Sequence, residues 1–159
     1  MPSRPFVKAI LICDQIIHEF GSNKKSLIGI FEEIHLPKFP ARYPRIAVYV
    51  NLTDAHGKYA LELRLLGAKD GTQLGAGRTP EVEIDSPLRT CEFALQIQNL
   101  QFPNPGKYEF HVLANGELLA TKTFTVREAK MPPPGPQGPP GGPLMGPMTP
   151  PPVEPEDPA

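Results

Sequence analysis

Polar and apolar residues alternate along much of the chain up to Lys130, and each alternating run predicts a β-strand with one face on a core and one in water. Leu61, Leu63 and Leu65 alternate with Glu62 and Arg64, and Lys69-Asp70-Gly71 then predicts a hairpin in which Thr72–Gly77 pairs back. Ile46, Val48 and Val50 form one face of Arg45–Asn51, with Ala47 and Tyr49 on the other. Val82 and Ile84 alternate with Glu81 and Glu83; Phe93, Leu95 and Ile97 alternate with Glu92, Ala94 and Gln96. Turn signals recur about every ten residues and no segment has a convincing helical period. An antiparallel β-sandwich of about eight or nine strands follows, an all-β fold.

The strongest local signal is Asn115-Gly116, set between two alternating runs. Tyr108, Phe110 and Val112 should face inward on one strand, and Phe124 and Val126 on the other. A two-residue loop would pair position 112 with 119 and break that parity. A three-residue loop, Ala114 to Gly116, pairs 112 with 118 and keeps it. The expectation is a type I turn with Gly116 in a left-handed bulge conformation.

The amino-terminal part reads differently. Phe6–Phe20 and Lys24–Leu36 predict two strands joined by Gly21-Ser22-Asn23, with helix the rival reading for Val7–Phe20. β-branched content favours strands. Val7–Cys13 and Leu27–Ile34 are apolar on both faces, so something must cover the second face: the stiff loop Pro37–Pro44, or a second subunit. Three prolines between Leu36 and Pro44 exclude a regular element there.

Composition divides the chain. Of 22 prolines, 13 fall in residues 131–159, with five of the 14 glycines. The expected organisation is a folded domain, residues 1–130, and a disordered Pro/Gly-rich tail, residues 131–159. The tail holds several P-x-x-P spacings, such as Pro136/Pro139, which suit polyproline grooves. The net charge of -1 gives no steering toward nucleic acid or membrane. Cys13 and Cys91 read as free thiols in strands, with a disulfide as the alternative in an exported protein. No leader or membrane span is visible, and a cytoplasmic location is expected.

Asn99-Leu100-Gln101-Phe102-Pro103-Asn104-Pro105-Gly106-Lys107-Tyr108-Glu109-Phe110 resembles the corner before a late strand of immunoglobulin-like domains, where a tyrosine hydroxyl bonds nearby backbone; Tyr108 stands at the matching position. The antibody signature of two cysteines and a tryptophan is missing, as the chain has no Trp. Ala9-Ile10-Leu11-Ile12-Cys13-Asp14, Ser26-Leu27-Ile28-Gly29-Ile30-Phe31 and Phe39-Pro40 are similar to an uncharacterised family of small bacterial proteins. That resemblance spans most of residues 5–127. It implies an immunoglobulin-like β-sandwich of bacterial origin and supplies no activity or site residues.

No catalytic constellation is legible: G-x-S-x-G and H-E-x-x-H are absent, and His18, His35, His56 and His111 lie far apart. Gly71–Thr79 fails as a phosphate loop because Thr72 replaces a required glycine and Pro80 blocks the following helix. Glu32-Glu33 and Glu81/Glu83 read as solvated carboxylates, and Lys24-Lys25 and Arg42/Arg45 as isolated charges. No cofactor, metal, nucleic acid or membrane is expected. The resulting expectation is a non-catalytic protein-interaction or assembly module, not an enzyme, with a protein partner or a homodimer. Contact residues are expected at Phe39 and Tyr43, then Ile10 and Ile12. A small-ligand or carbohydrate-binding sandwich is the alternative, and exposed aromatics in a concave pocket would favour it.

Overall fold

The computed structural model describes residues 4–130, and no helix occurs among them. The expected tail, its boundary and its P-x-x-P spacings lie outside the described residues. The strands are β1 (Phe6–His18), β2 (Lys25–Ile30), β3 (Glu33–Leu36), β4 (Ala41–Thr53), β5 (Gly57–Tyr59) and β6 (Leu61–Gly67), followed by β7 (Gln73–Arg78), β8 (Val82–Ile84), β9 (Cys91–Phe102), β10 (Gly106–Ala114) and β11 (Glu117–Glu128). One sheet has the order β2-β1-β4-β9, a second β3-β11-β10-β6-β7, and a small third pairs β5 with β8.

The two larger sheets share one core. Ile46, Val48, Val50 and Leu52 come from the first sheet, and Leu61, Leu63, Leu65, Phe110 and Val112 from the second; all are at 0% exposure. Each such side chain contributes about 1.5–3 kcal/mol by leaving water. At one end Phe124 stacks on Phe110 with ring centroids 5.3 Å apart, and Phe102 meets Tyr108 edge-on at 4.9 Å. No polar or charged residue is buried among those described.

Four expectations are corrected by this arrangement. First, Lys24–Leu36 is not one strand. It breaks at Phe31-Glu32, where the Phe31 ring turns in to within 6.1 Å of Phe124. The Phe31 N–H still donates to the Ile12 carbonyl, while Thr125 N–H donates to the Glu32 carbonyl, so the chain changes sheets there. β3 then runs parallel to β11, against the expected all-antiparallel pairing.

Second, the proline loop is short. β4 starts at Ala41 and carries Pro44 inside it. Proline is tolerated because the last β1 partner of β4 is Cys13, opposite Ala47; at Pro44 the β1 side of the strand is open. Third, β9 continues through Asn99, which adopts φ +54°, as far as Phe102. The inward set steps from Ile46 and Ile97 to Tyr43 and Leu100, then to Ala41 and Phe102, so both strands shift phase together and their register survives.

Fourth, the last hairpin closes through two residues. Ala114 pairs with Glu117, and Asn115 and Gly116 both have positive φ, +49° and +83°, as a type I′ turn requires. Parity is restored by a bulge after the turn, not by a longer loop: Leu113 pairs with Leu118 but Val112 pairs with Ala120. The Asn115 side chain fixes this turn, accepting from Ala60 N–H at 3.0 Å and donating to the Lys58 carbonyl at 2.8 Å.

Candidate interaction surface

β1 serves two purposes along its length. From Phe6 to Cys13 it pairs with β4; Cys13 also pairs with β2, and from Gln15 to His18 its partner is β2. Ala9, Asn51 and Glu92 lie on one level across the first sheet. On a straight strand His18, roughly nine residues further on, would stand about 30 Å from that level. Yet Lys25, the partner of His18, reaches Glu92 with Nζ–Oε2 at 3.0 Å. β1 therefore folds over near Cys13, and the β1–β2 hairpin lies back across the outer face of its own sheet.

This hairpin is the missing cover. Asp14, Ile16, Lys25 and Leu27 share the face turned toward the sheet. Asp14 accepts a hydrogen bond from the Tyr43 hydroxyl, and Glu92 accepts one from the Tyr49 hydroxyl beside its Lys25 contact. Beneath, Ala47 and Cys13 are buried, and Leu11 and Tyr49 half-buried. The hydrogen bonds from Tyr49 and Lys25 hold the Glu92 carboxyl below its ordinary range. Burial, and then the bond to Asp14, pushes the Tyr43 phenol well above the usual value for tyrosine.

The face turned away from the sheet is apolar and open. Ile30 is 56%, Ile28 47% and Ile17 40% exposed, and Phe20 protrudes fully at the hairpin tip. Across the ladder Ile28 stands opposite Gln15 and Ile17 opposite Ser26, so these side chains line one surface. Among the described residues β2 is also an outermost strand of its sheet.

The four expected contact residues lie elsewhere. Ile12 is 1% exposed and belongs to the core, so its side chain offers nothing to a partner. Ile10 and Phe39 are half-buried and pack against the core. Tyr43 is half-buried, with its ring 6.3 Å from that of Phe31 and its hydroxyl on Asp14. Phe31, Tyr43 and Asp14 are thus brought together at the fold in β1. Ile17, Ile28, Ile30 and Phe20 were the residues that sequence reasoning left unassigned. Their signal was present as apolar content on both strand faces, but deciding which face stays in water needs the fold at Cys13.

Among the described residues the charged groups form separate small sets. Glu32 pairs with Lys122, Glu33 with Arg127 and His35, and His111 with Glu109. Among the described residues no group of three or more His, Cys, Asp or Glu is placed to hold a metal ion. Nor is any helix among them long and apolar enough to cross a membrane.

Two β-sheets on a shared apolar core, with a hairpin laid over one of them, define an all-β protein. The chain belongs to a family of unknown function, DUF6941, whose family model matches residues 8–127. No curated protein matches this sequence. One similar solved structure is the Pseudomonas fluorescens alkylpurine DNA glycosylase AlkC bound to DNA containing an abasic site analog. It has 16% identity and a TM-score of 0.45, and the match covers 77% of this chain and 30% of that chain. That neighbour is described as a DNA glycosylase bound to DNA, and the expectation that this chain is not an enzyme is withdrawn on that finding. The likeness transfers no activity to this chain.

Proposed function

We propose that this chain is a protein-interaction or assembly module whose contact surface is the outward face of the β1–β2 hairpin. The observation that supports this is the alignment of Ile17, Ile28 and Ile30 on one exposed face, with Phe20 at its tip. An apolar face next to an outermost strand favours protein contact over water. The fold reading that goes with it is an immunoglobulin-like sandwich. In support, the Tyr108 hydroxyl donates to the Asn104 carbonyl at 2.5 Å, the corner bond that such domains use. A bacterial cytoplasm suits the two unbridged thiols. The rival, a small-ligand or carbohydrate site, would need exposed aromatics clustered in a pocket; Phe20 stands at the hairpin tip, Phe39 is half-buried, and Tyr43 is half-buried beside a groove.

The test is the native size of the full chain in a lysate of its own cells. The chain is expected to elute well above its 17.4 kDa monomer. The double variant Ile28→Lys, Ile30→Lys is expected to return to monomer size with an unchanged circular dichroism spectrum. A wild-type chain that elutes as a monomer contradicts the proposal, as does a double variant that stays in the larger species.

A further inference from the structure

The departure of β1 from β4 opens a second surface around Tyr43 and Pro44. Beyond Ala47 the strand β4 keeps only β9 as a neighbour, and a groove of about 370 Å³ lies over Arg42, Tyr43, Pro44, Asn99, Leu100 and Gln101. A neighbouring hollow that shares Tyr43 and Pro44 with it is lined also by Asp14, Arg45 and Gln98. Because β4 and β9 shift phase at Pro44 and Asn99, Arg42 and Arg45 are both turned out to solvent while Tyr43 and Ile46 turn in. Among the described residues neither guanidinium has a carboxylate partner; the one nearby acid, Asp14, is held by Tyr43. Two unpaired guanidinium groups beside a tyrosine and a proline make a groove suited to an acidic, proline-rich strand of polypeptide.

The chain itself carries such a segment. After Lys130 it has no Lys or Arg, and its three acidic residues fall together in Pro152-Val153-Glu154-Pro155-Glu156-Asp157-Pro158. We propose that this acidic stretch docks intramolecularly in the Arg42/Arg45 groove. Spacing supports the pairing. Residues three apart in a polyproline II strand share a face about 9 Å apart, which fits Glu154 and Asp157. Arg42 and Arg45 are separated by about 10 Å along β4. The route is short as well. Ala129 N–H donates to the Leu36 carbonyl at 2.8 Å, so the segment leaves the body beside the end of β3, and the chain passes from Leu36 into Arg42 through one brief loop. About 23 residues separate Lys130 from Glu154, enough chain to reach the groove in coil or polyproline form, and a tether of that length raises the effective concentration of the acidic stretch at the body's surface. The tethered segment therefore occupies the groove even with weak intrinsic affinity, and any outside ligand of the same chemistry must displace it.

The chain has no tryptophan, so a Val153→Trp change supplies a single reporter within the acidic stretch. In the full-length protein at low salt, acrylamide quenching of that reporter is expected to be about twofold weaker than in 0.5 M NaCl, where screening cuts the Debye length to roughly 4 Å. Replacing Glu154, Glu156 and Asp157 by their amides leaves the body untouched and should give the high-salt value at low salt. The charge reversal Arg42→Glu, Arg45→Glu should do the same, and adding Glu154→Lys and Asp157→Lys to it should restore protection. Protection must be independent of protein concentration; protection that rises with concentration would mean docking on a second copy and overturn the intramolecular assignment. Equal quenching in all of these proteins would overturn the site itself, whatever the hairpin face does.

Discussion

Gly29 faces Asp14 across the β1–β2 ladder so closely that a Cβ there would stand 2.5 Å from Asp14 Oδ2. Its φ of +69° is also one that side chains with a Cβ rarely adopt. Both features sit where the hairpin folds over and Asp14 takes the Tyr43 hydroxyl. Gly29→Ala should therefore cost about 2–3 kcal/mol in urea unfolding, of which about 1–2 is backbone strain. In an Asp14→Ala background the same change should cost only the backbone part. A neutral Gly29→Ala would mean that the hairpin is not held in this conformation.

The far end of the hairpin is pinned by Glu92, and this makes its docking sensitive to acid. A carboxyl lowered in the folded state gives stability that is fully present above its ordinary value, 4.5, and is lost as pH falls through the folded value. The Glu92 side chain is 38% exposed, so its anchor is worth no more than about 1 kcal/mol. Protection factors for hydrogen exchange in β2, corrected for the intrinsic rate at each pH, should thus fall as the pH drops below the ordinary 4.5. Glu92→Gln should exchange faster at neutral pH and lose most of that dependence. Identical pH profiles for the two proteins would count against the anchor.

The two faces of the hairpin strands should respond to mutation in opposite ways. Ile12→Ala empties a core position and is expected to cost about 2–4 kcal/mol. Ile28→Ala and Ile30→Ala are expected to change the stability of the isolated chain by less than about 0.5–1 kcal/mol. Thermal melts of the three variants test this ordering directly.

Much of the fold was legible from period two alone. Leu61, Leu63, Leu65, Phe93, Leu95, Ile97, Tyr108, Phe110 and Val112 are all inward, as alternation required. The failures share one cause: a local irregularity that rephases a strand. At Asn99 a positive φ carries β9 past the expected turn, and at Leu118–Ala120 a bulge repairs the parity that a two-residue turn breaks. The shift at Asn99 does mark the sequence, as Gln98-Asn99 between Ile97 and Leu100, but two polar residues in a row read equally well as a turn that ends the strand. The contact surface was half legible. Two apolar faces on β1 and β2 announced a cover, but residues 31–32 had to switch sheets, and β1 had to fold at Cys13, before the exposed face could be told from the covered one.

The cysteines follow from the same register. Cys13 is level with Ala47 and Cys91 with Leu52 on β4, a separation of about 17 Å that no disulfide spans. Burial raises both thiols, and Cys13 is the fully covered one. Iodoacetamide should modify Cys91 at least about tenfold faster than Cys13 in the native protein, with the two rates converging in denaturant. Equal native rates would show that the cover over Cys13 opens freely.

The hairpin face can be asked directly what it touches. A photo-activated cross-linking amino acid at position 30 of the full chain, irradiated in living cells, should yield discrete higher-mass adducts. The same group at position 64, on the polar outer face of the second sheet, should yield none. Adducts at both positions, or at neither, would contradict the assignment of the β1–β2 hairpin as the surface through which this protein meets another.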